Sequence, residues 1–188
     1  RPGSPSTTDW QNMIWHLKKP HLLALLMAAF PAGILCHPAL CAPAEPPSAA
    51  PWRTYTNDRF GYQICYPVHI FTPQGEPASR DGQHFRASDG ADLVVFGSFF
   101  PETLGEEISE SQAQATGKKG KVSYRSVHSD WAVLSGDDGE KSEFYTKIFW
   151  KKHQFSVFNL TYPKTAKARY VPIIEHIVDC FYAGTVDY

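Results

Sequence analysis

"KVSYRSVHSDWAVLSGDDGEKSEFYTKIFWKKHQFSVFNLTY", residues 121–162, reads as four strands in succession. "KVSYRSV", "WAVLSG", "EFYTKIFW" and "QFSVFNLTY" are rich in β-branched and aromatic residues, and turns at "HSD", "DDG" and "KKH" separate them. Turns this short join antiparallel neighbours, so this half of the chain is a meander. Phe144, Ile148 and Trp150 project to one side of their strand while Tyr145 and Phe149 project to the other. A sheet wetted on one face alternates cleanly between apolar and polar; this one does not, so both faces must be at least partly covered.

The flanking segments supply candidate covers. On the C-terminal side, "YVPIIEHIVDCF" places Tyr170, Ile173, Ile174, Ile177, Val178 and Phe181 at helical spacing. Pro172 suits the first turn of that helix, which leaves "KTAKAR" as a loop or a separate turn. On the N-terminal side, "TLGEEISESQAQATG" reads as a helix with Thr103 as cap, Glu106 completing a capping box and Gly117 as stop. Its apolar stripe is thin, with little beyond Leu104, Ile108 and Ala115. Before it, "HFRASDGADLVVFGSFF" is a hairpin turning at Asp89-Gly90, where a tight turn needs positive φ angles. "TPQGEPASRDGQ", residues 72–83, is a long loop of turn formers, and "RFGYQICYP", residues 59–67, is an opening strand. In that strand Phe60, Tyr62, Ile64 and Tyr66 share one face, and Gln63 and Cys65 project from the other.

The order β, ββ, α, ββββ, α defines an α+β fold. It is an antiparallel six- to seven-stranded sheet with a helix after the first hairpin and a C-terminal helix packed on the sheet. The C-terminal helix covers one face. The other has only the thin helix and the long loop, which leaves an aromatic surface for a ligand, a partner or a second copy of the chain.

The N-terminal region is of a different kind. After Met13, Lys18 and Lys19 precede the uncharged run "LLALLMAAFPAGIL", residues 22–35. That run is shorter than the about twenty apolar residues a bilayer span needs, and Pro31 and Gly33 weaken it further. "APA" at Ala42–Ala44 fits a cleavage site before Glu45, so residues 1–44 read as a Sec-type bacterial signal peptide, with residues 1–12 extraneous to it. Leu35 and Leu40 precede Cys36 and Cys41, which disfavours lipidation. Residues 45–51, "EPPSAAP", make an extended tether, 52–184 one domain, and 185–188 a tail. The expected location is periplasmic or secreted, with no stable membrane span once the leader is removed.

A formal net charge of −1 and short basic runs confined to turns do not recommend a nucleic-acid partner. His69, His84, His128, His153 and His176 form no metal-ligand spacing, so neither a metal site nor a cofactor is expected. Ser135 in "VLSGDDG" lacks the nucleophile-turn pattern, and "DDGE" at Asp137–Glu140 lacks the spacing of a calcium loop. Arg80, Asp81 and Arg86 flank the long loop, and with Arg59 they are candidates for a polar pocket that holds a small anion. No catalytic residue is indicated.

"YTNDRFGYQICYP", "DGQHFRASDGADL", "WAVLSG", "FYTKIF" and the ending from Tyr162 to Phe181 together resemble a group of small exported bacterial proteins of unknown function. The element order is similar to the PsbP-like α/β/α sandwich, over about Tyr55 to Phe181. The resemblance implies a non-enzymatic binding or accessory role in the cell envelope, with an unknown protein or small molecule as partner. A hydrolase with an unrecognised site and a protein inhibitor or effector are the competing readings.

Export also changes the meaning of the cysteine in "RFGYQICYP". With the leader gone, Cys65 and Cys180 are the cysteines that remain, and an even pair in an oxidising compartment favours a bridge. Two unpaired buried thiols are the alternative. A Cys65–Cys180 bridge would staple the first strand to the last helix and fix the face that helix covers.

Overall fold

A computed structural model describes residues 51–101 and 103–184. The expected leader and C-terminal tail, and all of the tether but Pro51, lie outside the described residues. Seven strands form one antiparallel sheet in the order β3-β4-β5-β9-β8-β7-β6. They are β3 (Phe71–Pro73), β4 (Gly82–Ala87), β5 (Asp92–Ser98), β6 (Lys121–Val127), β7 (Trp131–Asp137), β8 (Ser142–Lys151) and β9 (Gln154–Pro163). The meander is there as expected, with β8 and β9 paired over ten residues each, from Ser142 opposite Pro163 to Lys151 opposite Gln154.

The opening strand is not part of this sheet, contrary to the sequence reading. β2 (Gln63–Pro67) pairs with β1 (Trp52–Thr56), which was not anticipated, in a separate two-stranded sheet. The seventh strand of the main sheet is instead the three-residue β3, at the start of what was read as a loop. The alternation explains why β2 left. Tyr62, Ile64 and Tyr66 form an apolar face that is best buried against a sheet face, and the ring of Tyr66 lies 4.5 Å from that of Phe85 on β4. The hairpin is a cover. Its approach is close: a Cβ at Gly97 would lie 2.3 Å from Cγ of Phe60, an impossible contact.

Two helices complete the layers. Helix α1 (Leu104–Thr116) has Thr103 and Glu106 in a reciprocal capping box and ends at Gly117, φ 55°. It rests on one face of the sheet, with Leu104 and Ile108 against Ala132, Leu134, Phe144, Ile148, Phe155 and Val157. Helix α2 (Lys167–Cys180) lies on the other face beside the hairpin. Tyr170 stacks on Tyr162 at 5.2 Å, and Phe181, just past the helix, meets Phe158 edge-on at 5.0 Å. α2 begins five residues before Pro172, after a 3₁₀ turn at Lys164–Ala166, not at the proline as its sequence suggested. Pro172 and Ala168 are both exposed, so the carbonyl that the missing N–H abandons can face water. The Tyr170 hydroxyl donates to Asp89 at 2.8 Å and Arg169 donates to the same carboxylate at 3.0 Å, which anchors the early start to the β4–β5 turn. In that turn it is Gly90 alone that takes positive φ, 91°.

The hairpin and α2 form one layer and are joined covalently. Cys65 and Cys180 are bonded, with Cα atoms 5.9 Å apart across a sequence separation of 115. The staple therefore links two neighbours within the covering layer, not a strand of the main sheet to its helix. Beyond α2 the chain returns to β2, where Gln63 and Tyr182 exchange backbone hydrogen bonds of 3.1 and 3.0 Å. Buried Gln154 then ties this layer to the sheet, donating to the carbonyls of Phe60 at 2.7 Å and Gly184 at 3.2 Å.

One charged residue is caught under this layer. Lys147, in mid-β8, is 3% exposed, with its ammonium 5.2 Å from the Trp131 ring centre and 5.0 Å from that of Phe149. Burial pulls its pKa down to about 8, and the Asp179 carboxylate partly offsets this.

Two predictions follow from these packings. Peptide mapping of unreduced protein should recover Cys65 and Cys180 in one linked species, and C65S/C180S should lose roughly 4 to 5 kcal/mol in denaturant titration. For Lys147, the unfolded chain holds the proton up to pH 10.5 and the folded chain only to about 8. Stability should therefore rise as pH goes from 8 to 10.5. K147M should abolish that rise and add about 1 kcal/mol at pH 7, read as chemical denaturation at each pH.

Candidate functional site

The four residues singled out for an anion pocket are divided by the fold. Arg59, Arg80 and Asp81 collect where the long loop crosses the tip of the β1–β2 hairpin. Arg59 donates to the Ser79 carbonyl at 2.6 Å and its guanidinium sits 5.0 Å from the Phe60 ring centre. The Ser79 hydroxyl donates to Asp81 at 2.8 Å, and Arg80 is exposed at φ 51°. Arg86 is elsewhere. It lies about 16 Å further along β4. Phe85 beside it is buried under the hairpin layer, so Arg86 projects from the other face of the sheet. The structure does not bring the four together.

Beneath the loop is a network that the sequence gave no reason to single out. Asn57 is completely buried; its amide donates to the Tyr55 hydroxyl at 3.0 Å and the Arg80 carbonyl at 3.1 Å, and it accepts the Phe60 N–H at 2.9 Å. Tyr55 in turn donates to Glu76 at 2.5 Å, and Tyr62 donates to the Asp81 carbonyl at 3.0 Å. Burial pushes the Tyr55 pKa up to about 12 and that of Tyr62 higher still, so both remain neutral donors. Each polar group here has a partner, and the network clamps residues 74–81 onto the hairpin.

The second region is the part of the α1-side face that α1 does not reach. α1 packs over β6, β7 and β8. On β4, β5 and the C-terminal half of β9 the same face presents exposed His84 and Arg86 and half-buried Asp92, Val94, Asn159 and Thr161, with half-buried Phe96 at the border of the α1 core. His84 Nδ1 and Asp92 Oδ2 are 3.1 Å apart. Thr146 donates to Asn159 at 3.0 Å, and Asn159 donates to Thr161 at 3.4 Å. An open surface was expected on this side. It is a mixed polar strip whose aromatic member is Phe96, half-buried at the border of the core under α1, while Phe158 and Tyr162 of β9 turn to the opposite, covered face.

The remaining candidates resolve into local structure. Ser135 is a half-buried strand residue opposite Tyr145. Asp137 accepts the Gly139 N–H at 2.8 Å, a bond that holds its carboxyl below the usual range, and Lys164 adds to the effect. His128 stacks on Trp131 at 3.8 Å and His176 on Trp52 at 3.9 Å. Among the described residues no three His, Cys, Asp or Glu side chains converge as metal ligands, and no helix is long and apolar enough to cross a membrane.

No family model matches the sequence, and no curated protein does. Eleven solved chains match the structure. Among them is the solution structure of cyanobacterial PsbP (CyanoP) from Synechocystis sp. PCC 6803, with a TM-score of 0.54. The alignment covers 76% of this chain and 98% of that one at 14% identity. A likeness at that identity assigns no residue roles; it establishes that this chain has the PsbP-like α+β sandwich fold.

Proposed function

We propose that this chain is an exported, non-enzymatic accessory protein of the bacterial cell envelope that binds a protein partner through the polar strip of β4, β5 and β9. The observation that carries the export half is the Cys65–Cys180 bond, which joins elements 115 residues apart and is the kind of cross-link that persists in an oxidising compartment. The leader-like segment from Lys18 to Ala44 supports the same address. The binding half rests on the strip itself. It is a sheet surface with exposed His84 and Arg86 on β4 next to half-buried Val94 on β5, a combination that suits a protein surface with carboxylates opposite the arginine.

The test is affinity capture of the full chain from the envelope fraction of its own cells, with R86E run in parallel. Wild type should fractionate with the periplasm or medium and retain one stoichiometric protein; R86E should retain at least tenfold less while its thermal midpoint is unchanged. Cytoplasmic fractionation of the full chain would end the export reading, and equal capture by R86E would end the assignment to this strip.

A further inference from the structure

The seat of α1 contains a carboxyl group that has no evident structural purpose. Leu104 and Ile108 are the large apolar side chains that hold the helix to the sheet. Beside them Glu107 is 3% exposed, and the Ser111 hydroxyl, one turn on, donates to its Oε1 at 2.8 Å. The surroundings offer little to a negative charge. On α1 itself, Glu106 is exposed and committed to the cap, and Glu110 is a like charge. The seat-facing positions of β7 are Ala132, Leu134 and Gly136, and those of β8 are Phe144, Thr146, Ile148 and Trp150; none of these titrates. Phe155 and Val157 of β9 are equally apolar. On β6 the face carries Val122, Arg125 and Val127, and Arg125 is exposed at the edge of the sheet.

We propose that α1 is a proton-gated cover: with Glu107 protonated the helix is seated, and ionisation of that carboxyl lifts it and opens the Leu134, Phe144, Ile148 and Phe155 surface. A seated helix needs the neutral carboxyl, whereas a lifted one hydrates the charge freely. Burial raises the Glu107 pKa to about 7 from 4.5, with Glu110 adding to the rise and Ser111 opposing it. The sign follows from proton uptake. Seating binds a proton between those two values, so it is favoured fully below pH 4.5, weakens as pH climbs, and changes no further above about 7. In an exported protein, whose compartment follows the outside pH, that window is physiologically reachable.

Hydrogen exchange of the intact protein tests this. Protection of the α1 amides, corrected for intrinsic exchange, should fall on the order of tenfold between pH 5.5 and 7.5 while α2 is unchanged. Binding of an apolar fluorescent dye should rise over the same range. E107Q, which keeps the shape and cannot ionise, should hold α1 protection constant. Wild-type α1 protection that is flat with pH would overturn the proposal without reference to any variant, and so would an undiminished fall in E107Q.

Discussion

Phe144, Ile148 and Phe155 on one side of the sheet and Tyr145, Phe158 and Leu160 on the other are each exposed by 2% or less. A single pair of long strands thus carries two cores, and each must be closed by something other than the sheet. The molecule solves the two sides differently. The side facing β2 and α2 is closed by a double cover whose parts are bonded to each other, hydrogen-bonded end to end and tied to the sheet through Gln154. The opposite side is closed by one helix over β6, β7, β8 and the Phe155–Val157 part of β9, and is more open over β4, β5 and the Asn159–Thr161 part of β9.

What could be read from the sequence was governed by locality. The meander needed only strand composition and turn length, and the cap and stop of α1 needed only neighbours in sequence. The PsbP-like order of elements followed from those local readings. The errors came where the partner is distant. β1 has a weak pattern, half-buried or exposed at every position, and becomes a strand only because β2 pairs with it. β2 has a strong pattern, which predicts burial but does not say whether the strand joins the sheet or lies on it. Pro172 is a good local marker for a helix start, and it was overridden by the Asp89 contacts of Tyr170 and Arg169, more than 75 positions away.

The candidate site fared worse than the fold for a related reason. Arginine density near a long loop measures proximity along the chain, and a strand undoes that proximity quickly, since Arg86 is carried along β4 and presented on the opposite face from Phe85. The groups that the structure does mark, Asn57, Glu107 and Lys147, are ordinary letters in ordinary contexts. Lys147 had one legible sign: it stands between Tyr145 and Phe149 on the same side of a strand whose two faces were both read as apolar. A lysine in that register is either at an edge or buried, and β8 has neighbours on both sides.

The unequal closure of the two faces gives the buried charges unequal consequences. Lys147 lies beneath the cross-linked layer, where the ammonium rests near two aromatic faces and its titration bears on the stability of the fold. Glu107 belongs to a cover held by two large side chains and a solvated cap, with no covalent tie. Local opening is drawn from the least stable elements of a fold, and α1 is joined to the sheet through the packing of its side chains. A carboxyl buried there acts on a helix seated by Leu104 and Ile108. The disulfide therefore has a role beyond its loop entropy: by joining the hairpin to α2 it makes one cover a single cross-linked layer, whereas the other cover is one helix held by side-chain packing.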